Sequence, residues 1–337
     1  MLTEAPGREA VAAYNGALSA YWHPVLAVAD LDEGPVSVQV LDRPLVLVRL
    51  DGVVSCLDDV CRHMGASLSL GTVVDGCALR CIYHGWSYDG SGRVVDIPTR
   101  RGRPIPSGAR VASYGVQERY GILWVCLAEQ PAADVPDFPE YDDPAFRTTP
   151  LAVYAPWRAT APRLVMGALD DTHFPWVHPG ILGDPAQPEA PDHTARREDG
   201  VLIASYSRTA PNEVVEPGAP AMMQVVRDSY CTPTSIRLVK AMPHGTLVIF
   251  EAVCPVSHDR SVAFIHMART YDLDPARDQH YVDFEAEVQE QDRPVVESQR
   301  PWLLPPLSSR LLLYVRDADL PLIEFQKWLE ELGIPQL

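Results

Sequence analysis

Apolar Val11, Tyr14 and Leu18 recur at helical spacing near the start of the chain, and Pro24 follows. This predicts a short helix within residues 1–22. From 23 to about 128 the pattern changes. Short β-branched runs (VSVQVL, LVLVRL, VVSCL, TVV, CALRC, GILWVCL) alternate with turn residues, and Asp51-Gly52 and Asp75-Gly76 are hairpin signals. This stretch reads as an all-β domain. The segment 130–146, QPAADVPDFPEYDDPAF, is rich in Pro and acids and reads as a linker. Beyond it the texture is mixed. LVMGALDDTHF (164–174) predicts a helix stopped by Pro175. Strand-like runs follow at 201–206, 222–227, 235–240, 246–254 and 261–269. A long helix is expected from Asp278. A last one covers 320–332, with Leu322, Phe325, Leu329 and Leu332 on one stripe. The whole predicts an α+β chain divided at 1–22, 23–130 and 131–337.

Composition narrows the function classes. The 337 residues are enough for two domains at roughly 150 residues each. A net charge of −17 speaks against non-specific binding to nucleic acid or an anionic membrane. No apolar run approaches the ~18 residues of a membrane span. MLTEAPGREA lacks an apolar signal core. Seven scattered Cys suit metal ligation or buried thiols in a reducing compartment, so a cytoplasmic protein is expected.

Two constellations carry chemistry. Cys61-Arg62-His63 is followed, after seventeen residues, by Cys81-Ile82-Tyr83-His84. Two thiolates and two imidazoles suit either zinc or a two-iron cluster. Zinc sites usually space the ligands of a His pair more widely. Glycines after each pair (Gly65, Gly85) let backbone approach bridging sulfides, which favours the cluster. The second constellation is Asp170-Asp171-Thr172-His173-Phe174-Pro175-Trp176-Val177-His178. On an ideal helix the two His lie about 140° apart, so Pro175 and Pro179 must break the helix for them to converge. Asp170 and His173 are i,i+3 neighbours on that helix, while Asp171 points away and is expected to tolerate replacement better. Downstream, Tyr281, Phe284, Val288, Asp292, Val295 and Gln299 form one helical stripe with Asp292 at its centre. A bare carboxylate on an apolar face needs a cation, either a metal or an Arg.

CRHMG and CIYHGWSYDGSG resemble the C-x-H and C-x-x-H-G-W boxes of Rieske proteins. D-x-x-H-x4-H followed by QDRPVVESQRP resembles the catalytic domain of Rieske non-haem iron oxygenases. The likeness runs from YWHPVLAVADL (21–31) to QKWLEELG (326–333), and is nearest to short secondary-metabolism oxygenases such as saxitoxin-pathway hydroxylases and, further off, O-demethylases. It implies an N-terminal Rieske [2Fe–2S] domain followed by a helix-grip-like catalytic domain. Cys61 and Cys81 would bind one iron of the cluster, His63 and His84 the other. His173, His178 and Asp292 would bind a mononuclear Fe(II). Asp170 would link the cluster of one subunit to the iron of the next in a head-to-tail homotrimer. Many family members carry Asn six residues before the first His; here that position is Gly167.

The implied activity is that of a terminal oxygenase, using O2 and electrons to hydroxylate a C–H bond of a small secondary metabolite. Oxidative O- or N-demethylation and aromatic dihydroxylation are the alternatives, with a non-catalytic electron carrier behind them. No nicotinamide or flavin motif is visible, so a ferredoxin and a reductase must supply electrons. Residues 23–128 hold ten Arg and no Lys against eleven acids, leaving −16 elsewhere. Arg62, Arg80, Arg93, Arg100, Arg101 and Arg103 near the Cys-His boxes are either a docking face for an acidic ferredoxin or scattered solvated charges. Cys56, Cys77, Cys126, Cys231 and Cys254 read as buried thiols, and the remaining His as structural. Glu251, in LVIFEAVCP, either faces outward or anchors a cationic or hydroxyl-bearing substrate.

Overall fold

The computed structural model describes residues 5–31, 34–211 and 222–334. The chain forms two compact units, Ser19–Val135 and Pro136–Leu337, the second including Met1–Leu18. Its N-terminal helix α1 (Arg8–Leu18) buries Tyr14 and Leu18, while Val11 is only half-buried. The first four residues of the expected N-terminal segment lie outside the described residues.

The Ser19–Val135 unit is all β. Its strands are β1 (Trp22–Ala27), β2 (Val36–Val40), β3 (Arg43–Leu50), β4 (Val53–Asp58), β5 (Thr72–Val74), β6 (Ala78–Arg80), β7 (Ser87–Tyr88), β8 (Val94–Asp96), β9 (Ser113–Arg119) and β10 (Ile122–Cys126). They form a six-stranded sheet, β1-β10-β9-β4-β3-β2, and a smaller one, β5-β6-β7-β8. Asp51-Gly52 joins β3 to β4 and Asp75-Gly76 opens the turn into β6, all four residues at positive φ, as the hairpin signals predict. Val46, Val48, Leu57, Leu68, Leu79 and Tyr88 pack into a core that also contains Cys61 and Cys81. Cys77 is exposed beside its turn, contrary to the expectation of a buried thiol, because a hairpin loop carries it out of both sheets.

The other unit wraps helices around an antiparallel sheet. β11 (Arg147–Thr148) and β12 (Ala152–Trp157) precede helices α2 (Ala161–Leu169) and α3 (Phe174–Val177). Then come β13 (Thr194–Glu198), β14 (Val201–Pro211), β15 (Met222–Thr232), β16 (Ser235–Met242), β17 (Gly245–Ser257) and β18 (Arg260–Arg269). Helices α4 (Asp278–Ser298) and α5 (Arg316–Glu331) close the unit. The sheet order is β11-β18-β17-β16-β15-β14-β13, with β12 also on β18. α2 packs on β15 to β18 and against α4 and α5. β15 alternates as a half-buried strand should, with Met223, Val225, Arg227, Ser229 and Cys231 inward. Two of those five inward residues are polar, which marks this face as more than a core.

Several expectations change here. The second part of the supposed linker is anchored: Phe138 is fully buried and stacks on Phe250 at 4.8 Å, and Glu140 meets Arg237 at 2.6 Å. The 164–174 helix ends at Leu169, where Asp170 turns to extended backbone. Pro175 then sits in the first turn of α3 and starts a helix instead of ending one, since its missing N–H has no partner to lose there. On α4 the buried stripe is Tyr281, Glu285, Val288, Gln289 and Val296; Val295 is exposed and Gln299 lies past the helix end. The chosen stripe keeps the 3.6-residue period, but the face that packs inward is rotated by roughly 45° from it, toward Glu285 and Gln289. At the chain end, Leu332 falls just beyond α5 and is exposed, whereas Phe325 and Leu329 are buried.

Candidate metal centres and the cavity beside them

In the β unit, the two Cys-His pairs occupy two equivalent loops. Gly65 N donates to Cys61 O (2.9 Å) and Gly85 N to Cys81 O (3.1 Å), each glycine at positive φ. A side chain there would strain both turns. The loops place the donors unequally. Cys61 and Cys81 are buried in the core, 4% and 1% exposed, with their thiols in hydrogen-bond contact. His63 and His84 face outward, ring centroids 4.4 Å apart, and His63 stacks on Trp86 at 4.8 Å. Tyr88 reaches from β7: its hydroxyl lies 3.1 Å from Cys61 Sγ and accepts from Arg62 N at 3.0 Å. Burial pushes the Cys81 thiol and the Tyr88 hydroxyl upward. An inner sulfur pair and an outer imidazole pair fit a cluster whose two irons take unlike ligands. A single tetrahedral zinc needs the four donors around one point.

The second constellation converges through a turn, not a helix face. Asp170 caps the end of α2, and its Oδ1 accepts from Thr172 N (2.9 Å) and Oγ1 (2.8 Å). That turn aims Asp170 Oδ2 at His173 Nδ1, 2.9 Å away. The Asp170–His173 contact is therefore present, for a different reason than i,i+3 spacing. Burial works against ionised Asp170, but hydrogen bonds from His173 and Thr172 outweigh it and hold the carboxyl below its ordinary range. His173 and His178 flank the single turn of α3, one at each end. His178 Nδ1 contacts Gln291 Oε1 at 2.7 Å. With both Nδ1–H groups donated, both Nε2 lone pairs point inward, toward Asp292. Asp292 Oδ1 lies 3.0 Å from His178 Nε2 and 3.5 Å from His173 Nε2. One donor atom from each of the three residues falls within 4.8 Å of the others. His178 Nε2 is buried and makes no well-directed hydrogen bond. Two lone pairs and a carboxylate facing one point repel unless a cation sits among them. The donor set fits a 2-His-1-carboxylate iron site, and Asp292 has no Arg partner among the described residues.

Asp171 departs from expectation. It is 3% exposed, contacts His193 Nε2 at 2.7 Å and lies 3.9 Å from Arg208. The chain has left the helix by this point, so Asp171 turns inward and is held by His193. Gln291 escaped the sequence reading too. Its position beside Asp292 was visible, but its reach to His178, 113 residues earlier, needs the fold.

His173 and Asp292 line a cavity between the inward sheet face and helices α2 and α4. Trp157, Leu164, Leu238, Ile249, Phe284 and Val288 make it mainly apolar. Arg227, Lys240, Glu251, Glu285 and Gln289 add polar groups. Arg227 is engaged structurally, donating to Ala168 O, to Leu169 O and, at 3.2 Å, to Ser229 Oγ. It thereby fixes the end of α2 and so Asp170. Gly167 also borders the cavity, where an added Cβ would stand 3.6 Å from Val296, at ordinary van der Waals contact.

Known proteins share this architecture. Residues 21–115 match the Rieske [2Fe-2S] domain family, and residues 157–333 match the Vanillate O-demethylase oxygenase C-terminal domain family. Methylxanthine N1-demethylase NdmA of Pseudomonas putida is 32% identical over 93% of this chain and 88% of its own length. Methylxanthine N3-demethylase NdmB of the same species is 29% identical over 93% and 89%. The solved structure of NdmA with caffeine superposes with a TM-score of 0.83 at 31% identity, covering 95% of this chain and 92% of that one. Among the described residues, no helix is long and apolar enough to cross a membrane. With a Rieske domain ahead of a matching catalytic domain, and relatives alike over nearly the whole chain, this protein belongs to the Rieske oxygenases, as a terminal oxygenase component.

Proposed function

We propose that the protein is an oxidative demethylase of a small N- or O-methylated molecule. His173, His178 and Asp292 hold the mononuclear iron, and Cys61, Cys81, His63 and His84 hold the cluster. The observation that carries this reading is the inward convergence of the three donors on the wall of a mainly apolar cavity. The relatives supply the preference for methyl groups: methylxanthine demethylases along the whole chain, and an O-demethylase family along the catalytic domain. When bound, iron supplies oxygen activation in positions the protein leaves open. The chain's own residues position it. Asp170 and Gln291 orient the imidazoles, and the apolar walls hold a methyl group near the triad while excluding bulk water.

The reaction balances as R–CH3 hydroxylation with O2, two electrons and two protons, giving R–CH2OH and water, where R ends in N or O. The carbinol then releases formaldehyde and leaves N–H or O–H. C–H hydroxylation and demethylation thus share one oxidation step and differ only in what the hydroxylated carbon is attached to. The purified oxygenase, supplied with a surrogate ferredoxin and reductase, is expected to release formaldehyde in step with O2 uptake from members of an N- and O-methylated panel. Hydroxylated products that keep their methyl groups, without formaldehyde, would instead establish the plain hydroxylase.

Electron delivery also has a candidate surface. All six Arg near the cluster loops, from Arg62 to Arg103, are exposed. We infer that they steer an acidic ferredoxin toward His63 and His84. Arg62→Glu with Arg80→Glu is expected to slow cluster reduction about tenfold at low salt, with the gap closing as ionic strength rises. An unchanged rate at low salt would show these charges to be merely solvated.

A further inference from the structure

Glu251 lies mid-strand in β17 and is 4% exposed. Register fixes its direction. Ile236 and Ile265 stand opposite it on the two neighbouring strands, and Ile249 and Leu238 occupy the adjoining row of the same face. That face lines the cavity. Apolar neighbours offer its carboxyl nothing, and it has no hydrogen-bond or ion-pair partner among the described residues. The charged groups acting on it are Glu285 and Asp292, both acids on α4. Burial and these two acids push it up to about 8. The cations of the same face stand elsewhere. Lys240 is opposite Leu247, four residues or about 13 Å along the strand, and Arg227 is beyond it, engaged by the α2 carbonyls. Glu251 is therefore a buried acid on the cavity wall, with acids and no cation among the charged groups that act on it.

We propose that Glu251 is the substrate anchor, and that the substrate carries a cationic nitrogen with at least one N–H, a protonated amine or amidine. This rests on the cavity being the oxygenase's substrate chamber. A neutral ligand gives Glu251 one ordinary hydrogen bond. A cation gives a charge-assisted bond to a buried carboxyl that has no other counter-charge beside it. The rest of the ligand meets Leu238, Ile249, Phe284 and Val288, so the substrate is a small, otherwise apolar cation.

The test uses the holoenzyme and two matched probes: N-methylbenzylamine, a cation at neutral pH, and benzyl methyl ether, its uncharged near-isostere. Binding is read by ligand-observed NMR without turnover. The amine is expected to bind about tenfold more tightly than the ether, the strength of one charge-assisted bond over a neutral one. Glu251→Gln keeps shape and hydrogen-bonding capacity and is expected to erase the preference, whereas Glu251→Asp keeps part of it. The cluster's visible spectrum verifies that each variant is folded, and the wild-type comparison stands without any variant. Equal affinity of wild type for amine and ether, or an amine preference that survives Glu251→Gln, overturns the assignment. Because no product is measured, formaldehyde release judges the demethylase reading separately.

Discussion

His173→Ala, His178→Ala and Asp292→Ala are each expected to abolish product formation and release the mononuclear iron, while the visible spectrum of the [2Fe–2S] cluster stays intact. The reason is geometric. Three donors meet at one point, each from a different local setting: the start of α3, its end, and the middle of α4. Removing one leaves two, too few to hold iron against water and buffer. The proposed cluster ligands lie in the other compact unit, on loops closed by their own backbone hydrogen bonds. The converse variant, Cys61→Ala, should lose the cluster spectrum and spare the mononuclear iron. Iron counting and visible absorption on all four proteins check both halves. A triad variant that keeps its full iron content and turns over would mean these side chains are not the ligands.

Asp170→Asn is expected to slow turnover about 10–100-fold with both metals retained, the usual cost of disturbing a group that orients a metal-bound imidazole. Asp170 is half-buried, with its carboxyl held below its ordinary range by His173 and Thr172, so an isosteric amide keeps the turn but loses the charge. In the head-to-tail ring that the family resemblance implies, the same carboxylate would also meet His84 from a second copy of the chain and join the two redox sites. Mixed assemblies of Cys61→Ala chains with Asp292→Ala chains should then recover part of the activity that each lacks alone. Verified heteromers that remain dead would argue against transfer between subunits. Asp171→Ala should behave differently from Asp170→Asn. It strands buried His193 and costs about 1–3 kcal/mol of stability, seen as a lowered melting temperature without a specific electron-transfer defect. A melting temperature equal to that of wild type would contradict the buried Asp171–His193 pair.

Side-chain environments show where sequence reading stops. Asp292 stood out because a carboxylate on an apolar stripe needs a cation, and that logic is local to one helix. Glu285 and Gln289 belong to the same buried face, yet their spacing from the chosen stripe hid them. Asp170 was matched to His173 correctly, but through an assumed helix that ends at Leu169. The same helix assumption points Asp171 away from His173 and makes it replaceable, whereas it is buried against His193. Glu251 could be narrowed to outward or inward; only the pairing of β17 with β16 and β18 turns it toward the cavity.

What the sequence alone determined were features written in short stretches: the two Cys-His loops with their glycines, the Asp-Gly hairpins, the His-Pro cluster and the acid in the long helix. Metal spacing and turn chemistry act over a few residues, so they survive without the fold. Tertiary structure alone decided which groups meet across long separations. It brought Gln291 to His178, Arg227 to the end of α2, and His173, His178 and Asp292 to one point. Those encounters depend on strand register and helix rotation, where a shift of one residue sends a side chain to the opposite face of a sheet and about 100° around a helix.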